Sequence, residues 1–298
     1  MKEELAPGIY FLQAGEKGFP YCHCLLIESE LRAVIDTGAG EQVFNDLDPL
    51  SVDLVINTHY HKDHTFGNEL FPNARILIHA FDAPPLLDKN CRDYYTGFFE
   101  WEKVFGRPRE FLPHAGGHIP APFEPSIIHG FITNSDTIDF GHTRATVFHT
   151  PGHTPGHCGF YFDKEGIFFG GDIDLVRFGP YYGDYVSNLE DFEKSIESIA
   201  ELSLNIYCSG HRQPIYKDIN EQIQQYKSVI YQREERLLQL LTSPSRIEDL
   251  TGKNVVYSEY FIDYQRFWER RMIEKHLEKL IKTQRVNLLE NEYYQLAE

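Results

Sequence analysis

The chain has 298 residues, of which 42% are apolar and 24% charged, the profile of an ordinary globular protein able to bury a large core in one or two domains. No apolar run reaches the length of a membrane span. The first residues lack the basic and apolar regions of a secretory leader, and five scattered cysteines (Cys22, Cys24, Cys91, Cys158, Cys208) argue against a disulfide framework, so a cytoplasmic location is expected.

The net charge of −17 is concentrated in residues 1–215, which hold 31 acidic against 15 basic side chains, whereas residues 216–298 are nearly balanced at 14 against 13. An acidic body of this kind is a poor electrostatic match for nucleic acid. Residues 8–12, 21–27 and 31–35 read as consecutive strands, and the third runs into Asp36-Thr37-Gly38-Ala39-Gly40. An Asp at such a strand end either stabilises its own turn or supports a neighbouring loop. Cys22-His23-Cys24 lacks a second cysteine pair to complete a metal set, so buried strand cysteines are expected.

Residues 52–57 form a short, β-branched apolar run with the character of a buried strand. It leads into Thr58-His59-Tyr60-His61-Lys62-Asp63-His64. Three imidazoles and a carboxylate this close together are costly unless something pairs with them. A divalent cation is the simplest partner, and these donors suit zinc, iron or manganese. His59 and His61, two apart on extended chain, share one face. Asp63 and His64 fall where a helical turn begins and would aim at an adjacent point, which suggests two neighbouring metals.

Residues 74–79 are another strand, with His79 capping it. Residues 80–125 are rich in aromatics, Pro and Gly and read as an insertion, either lining a pocket or forming a satellite core. His114 and His118 within it have no ligand-like spacing. Strands resume at 137–140 and 145–148, and the latter runs into His149-Thr150-Pro151-Gly152-His153-Thr154-Pro155-Gly156-His157, a tight loop presenting imidazoles. Residues 166–169 end in Gly170-Gly171-Asp172. A helix over about 188–202 leads to strand 204–207 and Cys208-Ser209-Gly210-His211. Four apolar strands therefore each deliver His or Asp from one end, the way a composite site is assembled.

With these residues in place, the chain resembles the metallo-β-lactamase-fold hydrolase superfamily over roughly residues 8–215. The pattern HxHxDH, TPGH, GD and GH stands complete as His59, His61, Asp63, His64, His153, Asp172 and His211. The resemblance implies an α/β fold, an αββα sandwich with the site at one edge. It implies two divalent metal ions, zinc first with iron or manganese as alternatives. His59, His61 and His153 would hold one, Asp63, His64 and His211 the other, and Asp172 both. An Asp at position 172, where β-lactamases of this fold carry cysteine, points to the glyoxalase II and lactonase branches and away from a β-lactam substrate. His157 matches a supporting position, and His149 is at most indirect support.

Residues 219–241 show helical periodicity with Arg233, Glu234, Glu235 and Arg236 assigned to its polar face. A short helix over 244–250 behind Ser243, a longer one over 265–284 and a two-stranded wing over 285–296 come next. Residues 216–298 thus resemble the small helical, winged-helix-like domain appended to one branch of the superfamily, some of whose members cut RNA. Glu269, Glu274 and Glu278 interrupt the Arg266, Arg270, Arg271, Lys275 series and leave no basic stripe, so packing over the site mouth or a homodimer contact is expected. The expected chemistry is hydrolysis of an ester, thioester or lactone in a small-molecule substrate by hydroxide held between the metals. Asp63 would act as proton carrier, Asp172 as the shared carboxylate, and Tyr181 or Tyr182 would orient substrate. The rivals are a mononuclear-iron persulfide dioxygenase and a metal-dependent ribonuclease.

Overall fold

The structure, a computed structural model, describes residues 1–16, 20–109 and 123–297. Its first sheet runs in order β1 (Lys2–Ala6), β2 (Ile9–Leu12), β3 (Cys24–Ile27), β4 (Ala33–Ile35), β5 (Leu54–Ile56), β6 (Arg75–His79), β7 (Gly130–Ile132). The first four strands pair antiparallel and β4 to β7 parallel. The second sheet has the order β12-β11-β10-β9-β8, formed by β8 (Thr137–Asp139), β9 (Arg144–His149), β10 (Cys158–Phe162), β11 (Ile167–Phe169) and β12 (Ile206–Cys208).

The two sheets face each other across one apolar layer. Ile9, Phe11, Leu25, Ile27, Ile35 and Ile56 from the first meet Val147, Phe160, Phe162, Ile167 and Phe169 from the second, all without solvent exposure. Each sheet is apolar on its outer face too, so each needs a further layer. The outer face of the first (Leu26, Val34, Val55, Ile76) is covered by Phe44 of α1 (Glu41–Asn45) and by Phe71. Helix α2 (Lys62–Thr65) follows β5, and α3 (Pro84–Leu87), α4 (Lys89–Thr96) and α5 (Trp101–Phe105) follow β6.

Phe168 and Tyr207 on the outer face of the second sheet pack under Phe192, Ile196 and Ile199 of α6 (Leu189–Ala200). Ile223, Tyr226 and Ile230 of α7 (Ile219–Leu240) and Met272 of α9 (Asp263–Lys282) join the same cluster. Farther along, Leu237 of α7, Leu250 of α8 (Ile247–Leu250) and Ile273, Leu277 and Leu280 of α9 close a separate apolar cluster. Val286 of β13 (Val286–Leu288), antiparallel to β14 (Tyr294–Leu296), belongs to it as well. The architecture is the expected αββα sandwich with a C-terminal helical, winged-helix-like part.

Several local expectations change. The strand expected over 21–27 starts only at Cys24, because the Cys22 and His23 amides are taken by Gly38 O and Gly210 O across loops. The helix expected from residue 244 starts at Ile247, since Ser245 is spent pairing with Tyr294 in the wing and Asp249 takes the Arg246 amide. Arg233 and Glu234, assigned to a polar face, are only 3% and 4% exposed, because neighbouring segments cover that side of α7. In the insertion, Trp101 is buried against Phe105, Phe267 and Tyr264 and makes a satellite core. His114 and His118 lie outside the described residues.

Candidate metal centre

The loops after β5, β9, β11 and β12 meet at one edge of the sandwich. After β5 the chain bends over residues 58–60, which include His59, and only His61, the N-cap of α2, has extended backbone, so the extended run expected for the pair is not formed. Asp63 and His64 follow on that turn and group with His211, while the His64 ring still lies 4.2 Å from that of His59, centroid to centroid, so the two groups are contiguous. Glycines allow the loops to close up. Gly171, at φ +52°, would place a Cβ 2.7 Å from His157 Nε2, and a Cβ on Gly210 would lie 2.7 Å from His64 Cε1.

Seven side chains named from the sequence come together in two groups. In the first, His153 Nε2 lies 3.2 Å from His59 Nε2 and 3.0 Å from His61 Nδ1. Asp172 Oδ2 is 3.3 Å from His153 Nε2 and 3.7 Å from His59 Nε2. In the second, Asp172 Oδ1 is 2.8 Å from His64 Nε2 and 3.2 Å from His211 Nε2. Asp63 Oδ2 lies 3.3 Å from His211 and 3.8 Å from His64. Asp172 therefore offers one oxygen to each group.

The far nitrogens fix which lone pairs face inward. The Thr58 hydroxyl donates to Asp36 (2.9 Å), so its oxygen is free to accept from His59 Nδ1 at 2.9 Å. His64 Nδ1 donates to Asp36 Oδ2 at 2.7 Å, His153 Nδ1 to the Tyr181 carbonyl at 2.9 Å, and His61 Nε2 to Asp184 Oδ2 at 2.7 Å. Such partners set tautomer and ring orientation in metal sites and raise ligand basicity. Asp36 thus serves the cluster, the bolder of its two sequence readings.

His157 has both nitrogens occupied, accepting from the Asp172 amide at 3.1 Å and bonding Thr150 Oγ1 at 2.8 Å, so it supports the loop without facing the cluster. His149 bonds the Pro155 carbonyl and stacks on His79, with 4.3 Å between ring centroids. Tyr182, named as a substrate contact, is fully buried against His276 and Arg233 and cannot serve as one. Tyr181 remains beside His61 and His153.

Burial, then neighbouring imidazolium charge, holds His59 well below the usual imidazole range and His153 down at about 4. Both are neutral donors at neutral pH. Burial also disfavours charge on His64 and His211, but the carboxylates around them, Asp172 and Asp63 at both and Asp36 at His64, together outweigh it and lift both well above the usual value. His61 is raised in the same way by Asp184. In return these imidazoles hold Asp172 low against its burial.

The donor set fits a pair of divalent cations. His64 Nε2 and Asp172 Oδ1 are buried and neither completes a hydrogen bond of acceptable geometry. Nitrogens of His59 and His61 both crowd within 3.2 Å of His153 Nε2, an arrangement that a shared cation resolves. A cavity of about 470 Å³ among Lys103, Arg266, Arg270, Glu274 and Leu277 touches none of the seven side chains. Arg270 within it is already paired with Glu248 and Glu274, so the chemistry is placed at the histidine edge.

Two contributors carry no motif in the sequence. Asp184 lies in an irregular stretch and is buried beside Tyr60 and His61 only by the fold. Asp82, fully buried and raised to about 6 by that burial, accepts from the Tyr60 and Gly156 amides and the Thr154 hydroxyl, tying the first histidine loop to the second.

A sequence profile described as the metallo-beta-lactamase superfamily matches residues 18–211. The chain is 27% identical over 268 residues to the beta-lactamase-like protein 2 homolog of Drosophila melanogaster, covering 87% of this chain and 81% of the relative. It is 26% identical to an acyl-coenzyme A thioesterase of Bos taurus, covering 67% and 75%. A hydroxyacylglutathione hydrolase of Maricaulis maris is 29% identical, but the match spans only 47% of this chain and 41% of that enzyme. A metallo-beta-lactamase family protein from Thermus thermophilus superposes with a TM-score of 0.73 at 24% identity, covering 98% of this chain and all of the other, and so shares the fold. With the profile spanning well over half its length and its histidine and aspartate loops gathered at one sandwich edge, the chain belongs to the metallo-β-lactamase superfamily.

Proposed function

We propose that the chain hydrolyses the carbonyl of an ester, thioester or lactone in a small molecule with the help of two divalent cations, with thioesters the favoured class. The observation that carries this reading is Asp172, which turns one carboxylate oxygen to His59 and His153 and the other to His64 and His211. His59, His61 and His153 would hold one ion and Asp63, His64 and His211 the second, with zinc as the first choice. When bound, such ions lower the pKa of water and polarise a carbonyl. Asp63, whose Oδ2 lies 3.3 Å from His211 Nε2, would accept the proton of the attacking water and return it to the leaving group. Asp36, Asp184 and the Tyr181 carbonyl keep the imidazoles from swinging during that transfer.

Preference for thioesters draws on the named relatives, an acyl-coenzyme A thioesterase and hydroxyacylglutathione hydrolases. A nucleic-acid role is disfavoured because most cations of α9 are engaged within the protein. Arg270 pairs with Glu274, Arg271 with Glu100, and Lys279 with Glu193 and Glu234. We include in the proposal the division into residues 1–215 and 216–298. No helix of the described residues is long and apolar enough to cross a membrane.

The test is metal analysis of unsupplemented protein together with a panel of acyl thioesters, esters and lactones. Two ions per chain and thioester cleavage are expected, with both lost in His61→Ala and Asp172→Ala. A single iron with oxygen uptake on a persulfide would replace this reading with the dioxygenase one.

A further inference from the structure

We propose that Arg233 of α7 and Lys275 of α9 are positioning residues for the metal centre, acting through the segment 178–185. The proposal rests on the metal-binding reading above. It extends that reading to residues that touch none of the expected ligands.

The segment has neither helix nor strand structure, so its backbone groups must find partners elsewhere. On one side it serves the cluster. The Tyr181 carbonyl takes the His153 Nδ1 proton at 2.9 Å, and the Asp184 carboxylate takes the His61 Nε2 proton at 2.7 Å and that of the Tyr60 hydroxyl. On the other side it is gripped by the C-terminal helices. Arg233 Nη2 donates to the Phe178 carbonyl at 2.6 Å, and Nη1 to the Pro180 carbonyl at 2.6 Å and the Tyr182 hydroxyl at 3.1 Å. Tyr182 also bonds His276 Nε2 at 2.6 Å, and Lys275 Nζ donates to the Tyr185 carbonyl at 2.8 Å. Every residue of the segment that touches a cluster imidazole is thus flanked by one held from α7 or α9.

Arg233 is placed at a cost. It is 3% exposed and pairs with no carboxylate among the described residues. Its guanidinium instead lies 4.9 Å from the Phe178 ring and 5.5 Å from the Tyr182 ring. A buried charge spent on neutral carbonyls is expensive where packing alone is required. Its fork geometry fixes two carbonyls and a hydroxyl at once, which an apolar side chain cannot do. Helix α7 also reaches the cluster loop directly, with the Tyr226 hydroxyl donating to the Asp172 carbonyl at 3.2 Å. The C-terminal helices therefore act on the ligand geometry of His61 and His153.

The test compares zinc affinity, by competition with a chelator, in wild type, Arg233→Met, Arg233→Lys, Lys275→Met and the control Arg236→Ala. Arg236 shares α7 but reaches only the Lys253 carbonyl. All are measured well below the melting transition of each metal-free variant. Loss of partners behind metal ligands weakens binding roughly 10- to 100-fold. About tenfold is expected for Arg233→Met and Lys275→Met, less for Arg233→Lys, and under about twofold for the control. Wild-type affinity in folded Arg233→Met and Lys275→Met overturns the proposal, and if Arg233→Met does not fold, Lys275→Met decides. If wild type itself takes up no zinc, the metal reading fails separately. Nitrogen NMR of the metal-free imidazoles then decides, and an unchanged His61 Nε2–H signal in Lys275→Met overturns the positioning role.

Discussion

Asp184 is the sharpest place to perturb the site, because it touches one expected ligand and no expected ion. Its carboxylate is 3% exposed, and a single oxygen accepts from both His61 Nε2 and the Tyr60 hydroxyl. Asp184→Asn can keep an oxygen there and both hydrogen bonds, so it removes only the charge. Charge-assisted bonds are about twice as strong as neutral ones, and loss of the charge lowers the basicity of His61 at the nitrogen facing the cluster. Zinc binding should weaken roughly tenfold, about 1.4 kcal/mol.

Asp184→Ala goes further. It strands a buried hydroxyl and a ring N–H, each costing about 1–3 kcal/mol, and frees His61 to turn its other nitrogen inward. Zinc binding should weaken about 100-fold, about 2.7 kcal/mol, with a lower melting temperature in the metal-free protein. Chelator competition and thermal melts read the two effects separately. A folded Asp184→Ala protein that binds zinc within about twofold of wild type would refute the reasoning about imidazole orientation.

Gly210→Ala puts a methyl 2.7 Å from His64 Cε1 and 3.3 Å from Asp172 Oδ1. Metal content should fall toward one ion per chain, and two retained ions by elemental analysis contradict the assignment of His64 and His211 to the second ion. The pH response has a definite sign. His64 and His211 are raised above the ordinary imidazole value by Asp172 and the other carboxylates around them, against their burial. In metal-free protein their contribution to stability is therefore full below about pH 6.5 and is lost as pH rises through their raised values. Metal uptake must displace those protons, so zinc-loaded protein should gain stability over metal-free protein across the same rise. Melts of both forms from about pH 6 to about pH 9 measure this, and parallel curves would show that these imidazoles carry no displaceable protons.

The site was more legible in the sequence than its supports were. Ligand-type residues sit at strand ends because a strand rigidly aims the loop after it, and a strand end marked by a buried apolar run is visible in one dimension. His59, His153, Asp172 and His211 each come after such a run. Asp184 does not, since its role is fixed by a segment without regular structure whose path depends on α7 and α9. Arg233 shows the same limit from the other side. Its helix was readable from periodicity, but a charged residue defaults to solvent in any such reading. Only the placement of a hydrogen-bond-hungry segment against that face turns it inward. Strand β7 leaves no clear signal in the sequence because Gly130–Ile132 is three residues long and lies half exposed at the sheet edge.

The charges within the cage explain how it can fold before it is loaded. Asp36, Asp63, Asp172 and Asp184 bring negative charge into a volume that burial makes hostile to ions. His64 and His211 answer by keeping protons, held there by Asp172 and the other carboxylates around them. The cage can therefore be balanced by protons or by divalent ions, and loading is an exchange between the two. The two groups differ in what must be displaced. His59 and His153 are already neutral, so the first group loses a proton only at His61, whereas the second must give up protons at both of its imidazoles. Falling pH should accordingly empty the position formed by Asp63, His64 and His211 first. On the proposed two-ion reading, the site would then keep one ion, at His59, His61, His153 and Asp172, before the fold itself gives way.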